Sequence, residues 1–289
     1  MPNLLAITLD LHIEIALSVP VLTSGAVHRA SANSKLPVGV GISVARLIRQ
    51  LGHQAEIGSF VGGFNGRFAV YQFEAESLQG HYVWCEDDTP SHIQIKELDS
   101  PDKRTTALSG QGILISEEQV AQFADLIRQN HARFEWVCFS GAASPEFRAG
   151  AYTLLIEAAR PAKIAVYSHG AALAEFARQS PDLLYLDAAE ASSLLDYRID
   201  SPDTAKRGCL DLHRRGIERV VIALSNGDIV GYEWETCLHL PAPPVKAINL
   251  DATNNAYFAG MLAALMDNQP LFVALRQGAA AMGRVQFSG

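Results

Sequence analysis

Apolar residues in this chain fall in short continuous runs separated by longer stretches of helical period. The runs LLAITL (4–9), QAEIGSFV (54–61), WVCFSG (136–141), AKIAVYS (162–168), LLYLD (183–187) and RVVIALS (219–225) predict buried strands. Between them, ISVARLIRQLG (42–52), EEQVAQFADLIRQNHARF (117–134), EFRAGAYTLLIEAARP (146–161) and TAKRGCLDLHRRGI (204–217) predict helices, because apolar positions recur at three- and four-residue intervals. Strands apolar on both faces that alternate with helices predict an α/β fold with a mainly parallel sheet covered on both sides. Residues 10–35 and 82–109 break this rhythm. HIEIAL and SHIQIKEL alternate polar and apolar side chains, the period of strands with one face open to water. They predict a small antiparallel β lid on a single domain spanning 1–289.

Composition narrows the class of molecule. Hydrophobic residues make up 48% of the 289 and charged residues 19%, the balance of a soluble globular protein. The formal net charge is −8, and no Lys/Arg block is long enough to make a phosphate-binding stripe, which argues against a nucleic-acid partner. Arg214, Arg215 and Arg219 read as a solvated helix face. Cys85, Cys138, Cys209 and Cys237 form no CxxC pair, so zinc and thioredoxin-like chemistry are unsupported and a reduced compartment is expected. The start, MPNLLAITLDLHIEIAL, lacks a basic segment and is interrupted by Asp10, His12 and Glu14. It reads as neither signal peptide nor membrane span, so a cytoplasmic protein without membrane contact is expected. The nine histidines show no HxxxH or HxH pairing, and no metal site is expected from them.

Four segments carry chemical signal. LPVGVGISVARLIRQLGHQAEIGSFVGGFNGRF (36–68) places Gly39 and Gly41 just before a helix, then a strand ending at Gly62-Gly63. FSGAASPEF (139–147) is a strand, a small-residue turn and a helix start at Pro145. ALSNGDIVGY (223–232) reads as a hairpin, and NLDATNNAYFAG (249–260) as a strand end, a polar turn and a helix. Paired glycines before a helix let a ligand approach the backbone, and a helix N-terminus favours an anion. Each segment alone has a plain reading as a packing turn.

In this order and spacing, the segments resemble the ribokinase (PfkB) family of carbohydrate kinases, in its 1-phosphofructokinase and tagatose-6-phosphate kinase branch. TLDLHIE (8–14) is similar to TLNPALD, VGVGISVARLIRQLG (38–52) to GGKGxNVSRxLxxLG, and GSFVGGFNG (58–66) to GFLGGFTG. FSGAASPE (139–146) is similar to LSGSLPPG, LYLDAAE (184–190) to KPNxxE, ALSNGD (223–228) to SLGGDG, and NLDATNN (249–255) to NTVGAGD. The resemblance implies a ribokinase-like three-layer fold and ATP with Mg²⁺ as cofactors. It also implies transfer of the γ-phosphoryl group to a ketohexose phosphate such as fructose 1-phosphate or tagatose 6-phosphate.

Carried over residue by residue, it places substrate contacts at Glu14, Gly39, Val40, Gly41, Ser43, His92, Ser140 and Gly141. Nucleotide contacts fall at Asp187, Glu190, Ser225, Asn226, Gly227 and Asp228, and the anion-hole turn at Ala252, Thr253 and Asn254. The catalytic base falls on Asn255. A carboxamide accepts a hydrogen bond but cannot take a proton at neutral pH, and general-base assistance is typically worth ~10²–10⁴-fold in rate. Val40 stands where a lysine would reach the substrate phosphate, and Tyr167 where the branch often has an aspartate. Asp251 is either a substitute base or the cap of the following helix. His92 lies on the lid strand, as do Arg29, Lys35, Lys96 and Arg104 on lid segments, whose ordinary role is a solvated face. Tyr257, Phe258, Met261, Leu262 and Leu265 follow helical spacing as core. Two readings stay open. One is a kinase of severely reduced activity, the other a nucleotide- or sugar-binding pseudokinase with a regulatory role. Either could pair with a second copy through lid strands 13–17 and 93–95.

Overall fold

The computed structural model describes residues 3–102, 104–142, 147–242 and 250–285, with the side chains of 32, 149, 250, 251 and 283–285 outside that description. Its large sheet is built from β1 (Asn3–Thr8), β4 (Gln54–Gly62), β5 (Gly80–Cys85), β8 (Trp136–Ser140), β9 (Lys163–Tyr167), β10 (Leu183–Asp187), β11 (Arg219–Ala223), β12 (Ile229–Glu233) and β13 (Thr236–Leu240), in spatial order β13-β12-β11-β10-β9-β8-β1-β4-β5. All pairs from β5 to β11 are parallel, and the last two are antiparallel. The hairpin expected at 223–232 joins β11 to β12, closed by Leu224 N–H to the Asp228 carbonyl at 2.8 Å.

Helices cover both faces. Leu4 and Ala6 of β1 pack toward α1 (Val40–Gln50), α2 (Gly63–Ala75), α8 (Leu250–Met266) and α9 (Leu271–Val285). Leu5 and Ile7 pack toward α3 (Glu117–Asn130), α4 (Ala149–Ala159), α5 (Gly170–Ala177), α6 (Ala188–Leu195) and α7 (Pro202–His213). This alternation in a single strand is why β1 is apolar from Leu4 to Ile7. Tyr257, Phe258, Met261, Leu262 and Leu265 are buried, as their spacing predicts. The helices α2, α5, α6 and α9 were not legible in the apolar pattern. The first spreads its apolar residues around the helix and buries only Gly66, Ala69 and Phe73, and it begins at Gly63, directly after the strand, where a turn was expected. The FSGAASPEF turn falls partly on 143–146, outside the described residues, and α4 starts at Ala149.

The lid is a separate sheet of β2 (His12–Val19), β3 (Ala32–Val38), β6 (Ser91–Glu97) and β7 (Thr105–Ser109), in the order β3-β2-β6-β7. Its central pair, β2 with β6, is parallel, and only the two outer pairs are antiparallel, which corrects the all-antiparallel expectation. Both central strands leave the same edge of the large sheet, after β1 and β5, and so run the same way. Residues 82–85 belong to β5 of the large sheet; as its edge strand, β5 is covered unevenly and alternates like a lid strand. No helix among the described residues is long and apolar enough to cross a membrane.

Candidate active site

The parallel strands end at Thr8, Gly62, Ser140, Tyr167 and Asp187 on one edge, the edge at which open α/β sheets hold ligands. A cleft of about 770 Å³ opens there beneath the lid, reached by side chains of β2, β6, α1, the β9–α5 turn, α6 and α8. Of the positions expected to bind substrate, Glu14, Gly39, Val40, Ser43 and His92 line it; of the nucleotide positions, Asp187 and Glu190; of the helix opening, Ala252, Asn254 and Asn255.

The lid wall owes its polarity to two-residue periodicity. His12 and Glu14 share a face of β2, and His92 and Gln94 the same face of β6, with Glu14 opposite His92. Glu14 Oε2 accepts from Gln94 Nε2 at 3.0 Å, and His12 donates from Nδ1 to the Asp10 carbonyl at 2.8 Å. His92 Nδ1 lies 2.8 Å from Ser109 Oγ, and the His12 and His92 rings stand 5.4 Å apart. Arg46, the single Lys or Arg among the described lining residues, gives its guanidinium to Glu76 in two contacts of 2.7 Å and to the Pro37 carbonyl. The lid cations behave as solvated side chains: Lys35 reaches Asn65 Oδ1 and stacks on Phe68, and Arg104 donates to Ser100 Oγ.

Opposite lies the α6 wall. Asp187 caps α6, its Oδ1 accepting from Glu190 N–H at 2.8 Å, and Glu190 Oε2 accepts from Gly170 N–H at 3.1 Å. The expected nucleotide hairpin, Ser225 to Asp228, is not among the residues lining the cleft. It is tied to the end of β13: Asp228 accepts from Ala242 N–H at 2.9 Å and His239 Nε2 at 2.8 Å, while Asn226 Oδ1 takes Asp228 N–H. The Ala242 amide, then His239, holds the Asp228 carboxyl below the usual carboxylate range.

Three other expected residues act from behind the cleft. Gly41 packs α1 onto the sheet so closely that a Cβ would stand 2.3 Å from Thr8 Oγ1 and 2.6 Å from Ser140 Oγ. Ser140 is buried and donates to the Ile7 carbonyl at 2.8 Å. Gly141 has φ +70, which favours glycine, and a Cβ there would lie 2.0 Å from Asp10 Oδ1. Thr253 is buried. Asp251 belongs to α8 by its backbone, and its side chain lies outside the described residues. The polar turn expected before α8 falls inside the helix, which begins at Leu250.

Sequence reasoning missed Asp10, His12, Gln94, Ser168 and His169, all of which line the cleft. The period-two pattern of HIEIAL and SHIQIKEL could have found His12 and Gln94 beside Glu14 and His92. Asp10 and His169 stand on turns at strand ends, where periodicity carries no information.

Comparison with known proteins bears on this geometry. The model for the pfkB family of carbohydrate kinases matches residues 6–288. The chain is 25% identical over 284 residues to 1-phosphofructokinase of Bacillus subtilis (strain 168), covering 98% of this chain and 92% of that one. It is 26% identical over 285 residues to ATP-dependent 6-phosphofructokinase isozyme 2 of Escherichia coli (strain K12), covering 97% and 91%. Among solved structures, phosphofructokinase-2 from Escherichia coli in complex with fructose-6-phosphate superimposes with a TM-score of 0.86 at 23% identity, over 98% of this chain and 93% of that one. That likeness carries the ribokinase-like fold.

Proposed function

The chain belongs to the pfkB family of carbohydrate kinases, and from that premise we propose that its cleft binds a sugar or sugar phosphate and a nucleotide but transfers the ATP γ-phosphoryl group to a ketohexose phosphate only at a severely reduced rate. The substrate class follows from relatives named for phosphofructokinase activity. The rate follows from one observation: Asn255, at the position of the proton acceptor, faces the cleft as a carboxamide.

Phosphoryl transfer leaves the protein little covalent work, so positioning and charge stabilisation dominate, and the acceptor hydroxyl still has to lose a proton. Asn255 can orient that hydroxyl by accepting its hydrogen bond, and the proton then has no basic site on this side chain. Asn254 and Asn255 lie beyond the first four residues of α8, where helical geometry directs backbone N–H groups to carbonyls four residues back and away from a transferring phosphoryl group. Val40 brings a hydrocarbon side chain where a lysine would neutralise substrate charge.

The residues present fit a Mg²⁺–nucleotide. Asp187 and Glu190 are hard oxygen donors on one wall, each with a single oxygen held by a backbone N–H, and Mg²⁺ is commonly held by one or two carboxylates plus phosphates. Bound there, it would neutralise phosphate charge. The reading as a regulatory pseudokinase draws on the hairpin, whose Asp228 is occupied by Ala242 and His239. A homodimer through the lid belongs to the same proposal. Because β2 and β6 have both edges paired within the lid sheet, a second copy would meet their faces, where Ile15, Leu17, Ile93 and Ile95 are half-buried.

Restoring the carboxylate tests the reading. Asn255→Asp, combined with Val40→Lys, is expected to raise ketose-phosphate turnover by roughly 10²–10⁴-fold. A restored protein that binds ATP and sugar phosphate yet gains no turnover would remove Asn255 from the explanation.

A further inference from the structure

A ketohexose phosphate brings a dianionic group into the cleft, and an anion taken out of water needs a counter-charge. Val40 is apolar, and the Arg46 guanidinium is committed to Glu76 and the Pro37 carbonyl. The groups left among the described lining residues that can become cationic are the imidazoles of His12, His92 and His169. His12 and His92 stand side by side on β2 and β6, half-buried, with their rings 5.4 Å apart and inclined at 55°. His12 Nδ1 lies 2.8 Å from the Asp10 carbonyl, which only accepts, so this nitrogen carries the proton. Its Nε2 is then an acceptor in the neutral ring and a donor in the charged one. His92 Nδ1 meets Ser109 Oγ at 2.8 Å, a hydroxyl that can donate to the neutral ring and accept from the charged one. Both rings therefore stay held at Nδ1 in either charge state, which leaves Nε2 for a ligand.

Few other charges face the pair. Glu14 is the carboxylate of the same wall, bonded to the neutral Gln94. β3 sets Val38 and Leu36 opposite His12 and Glu14, and β7 sets Ser109 opposite His92. The Asp10 Oδ1 is shut off from solvent, and burial works against its charged form, opposed by His12 and His169. His169 precedes Gly170, whose N–H binds Glu190, and so stands at the edge of the α6 wall with Asp187. With both lid rings neutral, this wall presents the Glu14 charge and repels a phosphate. With both protonated, two imidazolium charges outweigh it, and charge-assisted hydrogen bonds from Nε2 become available.

We propose that His12 and His92 form a proton-gated site for the phosphate of the sugar ester, so that the cleft holds the ester in mild acid and releases it as pH rises. The proposal rests on the reading of the cleft as a sugar-phosphate site. Calorimetric titration of the full chain with fructose 1-phosphate, fructose 6-phosphate and tagatose 6-phosphate, at about pH 6.5 and about pH 8.5, separates the two claims. The esters are mostly dianionic at both, since a phosphate monoester loses its second proton near about pH 6. Wild-type affinity is expected to fall by about tenfold or more between the two, as imidazole loses its charge over this range. His12→Gln/His92→Arg leaves one fixed charge and no titrating ring on the lid wall, and its two affinities are expected to agree within about threefold. His92→Gln alone, which keeps a donor and removes the charge, is expected to lose about tenfold at the lower pH. Wild-type affinity equal or tighter at the higher pH would overturn the imidazole site and leave the sugar-phosphate site standing. So would the full wild-type slope in the folded double variant, or undiminished affinity in His92→Gln. Binding of no ester to wild type at either pH would remove both claims.

Discussion

On the α6 wall of the cleft, Asp187 and Glu190 each give an oxygen to a backbone N–H, whereas on the lid wall Asp10 keeps a buried oxygen with no partner. Elsewhere the two regions are alike: the hairpin carboxyl of Asp228 is held by an amide and an imidazole, and His12, Glu14, His92 and Gln94 line the cleft with a hydrogen-bond partner each. A buried polar atom without a partner costs free energy until something satisfies it. The lid wall therefore carries an internal cost that the α6 wall does not.

Four experiments probe this difference. The largest expected effect is ligand stabilisation, since a ligand at about 100 times its Kd adds about 2.7 kcal/mol. A sugar should shift the thermal transition more than ATP–Mg²⁺ does at equal concentration, and the opposite order would reverse the assignment of the two walls. Next, Gly141→Ala should destabilise by roughly 1–3 kcal/mol, the usual range for a side chain forced into a left-handed backbone conformation. Part of that loss should be recovered in Asp10→Ala/Gly141→Ala, because the new Cβ would press on the Asp10 carboxyl; denaturant unfolding gives both values.

Asp228→Ala should cost about 1 kcal/mol through lost hydrogen bonds. The folded pKa of Asp228 is depressed, so its contribution is present above the ordinary value of 3.8 and is lost as pH falls through the folded pKa. The penalty of the variant should therefore shrink below that pH. The smallest effect runs the other way. The folded pKa of Asp10 is raised, so folding is least burdened below 3.8 and loses stability as pH rises through the folded value. Asp10→Asn should raise Tm near pH 7 by roughly 1–3 °C, and the gain should disappear in acid.

The contrast also explains what was legible in the sequence. Strands such as LLYLD, apolar on both faces, were found at their observed bounds of Leu183–Asp187, because burial on two sides leaves no other reading. The lid strands were visible through alternation, but their parallel central pair was not, since direction depends on which strand end each leaves. In the site, Glu14, Val40, His92 and Asn255 were found through motif position, and the structure brings all four to one cleft. Ser225 to Asp228 share the motif signal and lie outside that cleft's lining. Asp10 escaped notice because its distinction is environmental: a buried oxygen and a glycine niche at residue 141 leave no trace in local pattern.

On the proposed reading, a carboxamide at Asn255 leaves the acceptor proton without a base. Steady-state ADP release by the wild-type chain, with ATP, Mg²⁺ and a panel of ketose phosphates, tests it most directly. Turnover is expected to lie at least roughly 10²-fold below that of the same protein carrying Asn255→Asp. Sustained ADP release by wild type at the rate of the carboxylate variant would contradict it.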